Sequence, residues 1–143
     1  MILRLIVENI ASFKNAVEFN TFPSSKSQSH NNHKVKCGHA TALRLGAIYG
    51  ANGAGKSNLI KSLFLLKQLI GLESLQKFPI GDSLAFKLDP TYSERPSGIA
   101  VEFYHGNNIY YYHIEFNRSQ GDTKELLLRK KSEDEPIVKR ENN

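Results

Sequence analysis

The chain has 143 residues, 40% hydrophobic and 23% charged, the balance of a globular chain able to bury one core. No apolar run exceeds that of residues 63–66, which excludes a membrane-spanning helix. Arg4 and Glu8 within the first apolar stretch argue against a secretory leader, and the single cysteine, Cys37, excludes an intramolecular disulfide, so a cytoplasmic protein is expected. The net charge of +5 is spread along the chain, and the basic groups Arg129-Lys130-Lys131 and Lys139-Arg140 are partly offset by Glu133-Asp134-Glu135, a pattern that favours a solvated surface over a nucleic-acid patch.

In chain order, residues 1–7 are rich in Ile, Leu and Val and predict a first strand. Residues 16–22 alternate around Val17 and Phe19 and predict a second, paired with the first as a hairpin. Residues 23–41 are polar and predict an exposed loop or disordered insertion, so deletion of residues 24–39 is expected to leave ligand binding intact. Inside that stretch His30, His33, Cys37 and His39 are ligand types for zinc, but their spacing is not a familiar finger and the surrounding serines and asparagines favour a loop.

Residues 43–49 are short and apolar and predict a buried parallel strand. Directly after them comes Gly50-Ala51-Asn52-Gly53-Ala54-Gly55-Lys56-Ser57, which satisfies G-x-x-x-x-G-K-[ST] (Walker A), and residues 58–70 then carry helical periodicity. A triphosphate concentrates negative charge, so a loop that receives it must turn backbone N–H groups inward. Glycines at 50, 53 and 55 permit the positive φ angles and close approach this requires. The phosphates would sit at a helix N-terminus, Lys56 would reach the β- and γ-phosphates, and the Ser57 hydroxyl would ligate Mg²⁺. The nucleotide contacts are thus assigned to Gly50, Ala51, Asn52, Gly53, Ala54, Gly55, Lys56, Ser57 and Asn58, with ATP and Mg²⁺ as ligands.

The helix is expected to bury a stripe of Leu59, Leu63, Leu66 and Ile70, with Ile60 and Phe64 beside it, and to end at Gly71 in a left-handed cap. Period-two alternation through Ile99, Val101 and Phe103, a turn at residues 105–108, and apolar strands over 109–116 and 124–129 predict an antiparallel meander. Tyr110, Tyr111 and Tyr112 would point to alternate faces of such a strand, which favours packing over a stacking platform. The tail over residues 130–143 has few apolar residues and is expected to be poorly ordered.

With these motifs placed, Met1-Ile2-Leu3-Arg4-Leu5-Ile6-Val7-Glu8-Asn9-Ile10-Ala11-Ser12-Phe13-Lys14, together with residues 47–59, resembles the opening of bacterial AAA-family ATPases of the OLD-like, abortive-infection type, which belong with the ABC-type ATPases. The loop form G-x-N-G-x-G-K-S-N, with Asn52 and Asn58, also resembles that of SMC proteins and the RecF repair protein, and residues 98–116 resemble the β-rich stretch after the first helix. The resemblance implies an α/β P-loop NTPase: the N-terminal lobe of an ABC-type ATPase with a mixed sheet, one main helix and the meander, incomplete as a domain. It implies a nucleotide-sandwich dimer, or a C-terminal ATPase portion, as partner, with no membrane and with a nucleic acid or a defence-system protein as further candidates.

Two features depart from that pattern. Ala11 stands where such proteins commonly carry an arginine taken to approach the nucleotide, and the Asp-Glu strand and signature motif that support hydrolysis are not in this sequence. Glu115 is a weak candidate for a catalytic acid, because hydrolysis needs an acid beside the γ-phosphate and not merely one on a strand. The isolated chain is therefore expected to bind ATP with little turnover and to self-associate. The alternative is a stand-alone nucleotide-binding module that uses ATP as a ligand.

Overall fold

The computed structural model describes residues 1–26, 29–71, 84–117, 122–131 and 133–142. Ser27 and Gln28 of the polar loop, and Ser132 and Asn143 of the tail, lie outside the described residues. Strands β1 (Ile2–Glu8) and β2 (Val17–Asn20) form the expected hairpin, and β3 (Lys34–Cys37) pairs with β4 (Ala40–Leu43) as a second, separate one. Helix α1 (Lys56–Ile70) follows, then β5 (Ser97–His105), β6 (Asn108–Phe116), β7 (Thr123–Lys130) and β8 (Glu135–Asn142). The larger sheet has the order β2-β1-β5-β6-β7-β8, and every described pairing is antiparallel.

Among the described residues, α1 covers one face of this sheet and the β3–β4 hairpin the other. Alternation places Leu5, Val7, Ile99, Val101, Tyr112, Ile114 and Phe116 on one face, where they pack against Leu59, Leu65, Leu66 and Leu69 of α1. Tyr104 and Ile109 pair on the opposite face. There, with Leu3, they pack against Cys37, Ala42 and Val35 of the β3–β4 hairpin. The pairing of β1 with β5 shifts register between Ile2 and Arg4, so Leu3 joins this second cluster while Leu5 and Val7 face the helix.

Several expectations are corrected here. The polar stretch is not all loop: it contains β3 and most of a hairpin whose Cys37 is completely buried, because alternation of Val35 and Cys37 survives among polar neighbours. The charged tail forms β8, which extends the sheet beyond β7. Its charges are used across the ladder, with Arg129 to Glu135 at 3.6 Å and Arg140 to Glu125 at 3.7 Å, and Pro136 is tolerated on an edge strand. The sheet is not mixed: of the parallel strand expected over residues 43–49, Leu43 belongs to β4, and residues 45–49 form no strand and make no backbone–backbone hydrogen bond among the described residues; Leu45 is 75% and Tyr49 90% exposed. A buried parallel strand needs a neighbour on each side, and the described strands are all used in the antiparallel ladders.

The helix keeps three of the four expected stripe residues on the core, with Leu59 and Leu66 buried and Leu63 packed partly buried against them, but the buried side is rotated away from Ile70, Ile60 and Phe64. Its buried residues are Leu59, Ser62, Leu65, Leu66 and Leu69, while Ile60, Phe64 and Ile70 are exposed. Leucines stand on more than one side of this helix, so spacing alone does not select the face. Gly71 caps α1 with ordinary right-handed angles (φ −82°), its N–H donating to the Gln68 carbonyl at 3.1 Å. Among the described residues no helix is long and apolar enough to cross a membrane.

Candidate functional site

The glycine-rich run forms a tight loop that ends in α1. Gly53 (φ 83°) and Gly55 (φ 89°) both take left-handed angles, and Gly55 is the N-cap. The first helical hydrogen bond runs from Leu59 N–H to the Gly55 carbonyl at 3.0 Å, and the N–H groups of Lys56, Ser57 and Asn58 have no backbone partner among the described residues. The first turn carries no acidic residue to compete for these amides. Lys56 folds back over the loop, its ammonium donating to the Gly50 and Ala51 carbonyls at 2.7 Å each. Ser57 is exposed at the same opening. Loop amides, an ammonium and an exposed hydroxyl are therefore gathered at one positive helix end, a donor set that fits a phosphate group and its metal ion.

A second element touches this loop. The turn after β1 places the Ser12 hydroxyl 3.0 Å from Asn58 Nδ2, which donates to it. A Cβ built on Gly55 would lie 2.9 Å from Ser12 Oγ and 3.2 Å from Phe13 Cε1, so glycine at position 55 supplies both the backbone angle and the room for this turn. The residues that set the turn are Asn9 (φ 49°) and Ala11 (φ 54°). Asn9 is buried, and its Nδ2 lies 2.9 Å from the Tyr92 carbonyl, 3.1 Å from that of Arg95 and 3.2 Å from that of Pro96. Its Oδ1 accepts from Phe86 N–H at 3.0 Å, and its carbonyl accepts from the Ser97 hydroxyl at 2.7 Å. The sequence places the connection of the first hairpin at residues 10–15, which includes Ser12, but nothing in its pattern links that turn to the glycine-rich loop. Ala11 donates its N–H to the Leu84 carbonyl at 2.6 Å.

Other candidates are placed elsewhere. Glu115 alternates with Ile114 and Phe116, which pack under α1, so it lies on the face away from the helix, 3.9 Å from Lys124. No described carboxylate bonds to the loop through a hydrogen bond or ion pair. The zinc reading is not supported. Cys37 is buried with its Sγ 3.8 Å from Met1 Sδ, His30 and His33 meet only edge to face at 5.9 Å, and no cluster of three or more metal-ligating side chains occurs among the described residues. The tyrosine run divides as alternation requires. Tyr110, stacked on Phe103 at 5.4 Å, and Tyr112, opposite Val101, share the face that α1 covers, and Tyr111, opposite Glu102, takes the other; Tyr112 is buried, and burial followed by the hydrogen bond to Glu125 pushes its hydroxyl well above the usual tyrosine range.

No curated protein matches the chain. The model of the family described as "AAA domain, putative AbiEii toxin, Type IV TA system" does, over residues 46–143. That span begins just ahead of the glycine-rich loop and includes α1 and β5 to β8, more than half of the chain. The chain therefore belongs to this AAA-domain family.

Proposed function

We propose that the chain binds ATP with Mg²⁺ at residues 50–58 and serves as the nucleotide-binding lobe of an AAA-type ATPase related to the OLD-like, SMC and RecF group. The observation that carries this reading is the loop geometry: left-handed Gly53 and Gly55, three open amides at the start of α1, and Lys56 held across the loop by two carbonyls. A phosphate would exchange with those carbonyls for the ammonium and accept from the amides of Lys56, Ser57 and Asn58. Mg²⁺ would neutralise the β- and γ-oxygens, with the Ser57 hydroxyl as its protein ligand.

Calorimetric titration of the full chain with ATP tests this. Ser57→Ala is expected to weaken binding by about tenfold in Mg²⁺ and by less than about twofold in EDTA, since the hydroxyl acts through the metal. An equal loss in both buffers would assign Ser57 a different role.

The uncovered apolar residues Leu45, Ile48 and Tyr49, next to the loop, support a partner on that side. Either further ATPase sequence or a second copy of the chain would supply it, and with it the carboxylate for water activation. Size-exclusion chromatography of this chain alone should show oligomers or aggregates. A stable monomer would instead favour the stand-alone nucleotide-binding module. The family description, which names a toxin–antitoxin system, and the resemblance to abortive-infection ATPases support a defence setting.

A further inference from the structure

We propose that Ser12 is a positioning residue for the glycine-rich loop: through Asn58 it ties the first turn of α1 to the turn after β1, holding the open loop amides in the orientation that receives a triphosphate. This rests on the reading of residues 50–58 as the ATP site.

The turn that carries Ser12 is rigid for reasons unconnected with the loop. Ile10 and Phe13 bond to each other through both backbone pairs, at 3.1 and 2.9 Å. Asn9 and Ala11 hold positive φ angles because Asn9 is clamped by the carbonyls of Tyr92, Arg95 and Pro96 and by Phe86 N–H, and Ala11 by the Leu84 carbonyl. Such backbone states persist only where the surroundings over-determine them. Ser12 therefore presents its hydroxyl from a fixed platform.

The start of α1 is the opposite case. Its first three amides have no backbone partner among the described residues, and helix ends fray when nothing anchors them. Asn58 is the link between the two. Its side chain donates to Ser12 Oγ at 3.0 Å, and its carbonyl accepts from the Ser62 hydroxyl at 2.8 Å, one turn further along the buried side of the helix. The turn can approach this closely only because position 55 has no Cβ. A loop ordered before the ligand arrives spares the ligand the cost of ordering it.

The test uses the full chain, with Mg-ATP titrated into the wild type, Ser12→Ala, Ser12→Thr, Asn58→Ala and the double alanine variant. A single neutral hydrogen bond sets the scale. Ser12→Ala is expected to weaken binding about fivefold, Asn58→Ala at least as much, and the double variant no more than Asn58→Ala alone, while Ser12→Thr stays within about twofold of wild type. In the nucleotide-free protein, amide exchange over residues 56–59 should quicken in Ser12→Ala, with the exchange of β5 and β6 unchanged.

Wild-type affinity in Ser12→Ala, multiplied losses in the double variant, or unaltered exchange over residues 56–59 would each overturn the proposal. A wild type that binds no ATP would overturn the ATP-site reading and this role with it. A Lys56-dependent wild type with an unaffected Ser12→Ala would overturn only the role of Ser12.

Discussion

Lys56→Ala is expected to weaken Mg-ATP binding by at least about 100-fold, measured by calorimetry on the full chain, with little change in the unfolding midpoint of the nucleotide-free protein. Lys56 is the one cation that the loop directs at its own opening, where it meets the Gly50 and Ala51 carbonyls at 2.7 Å. Charge-assisted hydrogen bonds to phosphate oxygens are roughly twice as strong as neutral ones, and an ammonium placed between the β- and γ-phosphates makes more than one. The two effects separate because Gly50 and Ala51 are exposed: when the ammonium is removed, water satisfies their carbonyls and no buried group is orphaned. Equal affinity in wild type and variant would remove the phosphate-loop assignment, whereas a large fall in unfolding midpoint would show that the lysine serves the fold and not the ligand. Lys56→Arg should recover only part of the affinity, since a wide planar fork does not replace a compact ammonium inside a tight loop.

Deletion of residues 24–39 is expected to lower the unfolding midpoint by more than about 10 °C, reversing what the polar composition of that stretch suggests. The deletion removes β3 and with it the cover over Leu3 and Ile109, two of the most deeply buried side chains. Exposing two large aliphatic side chains costs roughly 3–5 kcal/mol, a substantial part of the 5–15 kcal/mol that ordinarily holds a domain of this size together. The β3–β4 ladder, from Lys34 opposite Leu43 to Cys37 opposite Ala40, is lost as well. Removing residues 24–29 alone should be tolerated, because Ser24, Ser25, Lys26 and Ser29 are exposed and shortening a surface loop changes closure entropy little. An unchanged melting curve for the longer deletion would show that the second core cluster contributes nothing to stability.

The parts of this protein legible in its sequence are those whose physics is local. The loop announces itself through its glycines, followed by Lys56 and Ser57 and then a helical stretch, and the structure has positive φ at Gly53 and Gly55, though not at Gly50, and a helix from Lys56. Period-two alternation likewise placed β5 and β6 with their Gly106-Asn107 turn, because each strand carries its own inward and outward faces.

What sequence could not decide depends on partners distant along the chain. Leucines stand on more than one side of α1, and only packing against Val7, Ile99 and Tyr112 selected the side of Leu59, Ser62 and Leu66 over that of Ile60 and Phe64. Cys37 and Val35 sit in a polar stretch that reads as loop until Leu3 and Ile109 cover them, and β8 is a charged tail until β7 offers it an edge with matching charges. Ser12 and Asn58 are 46 positions apart, and their hydrogen bond exists only because Asn9, buried under the carbonyls around Pro96, bends the chain back to the loop. Residues 43–49 mark the boundary between the two kinds of information. Their apolar character is written in the sequence, but strand formation needs a hydrogen-bonding neighbour, and among the described residues none stands beside Leu45 to Tyr49.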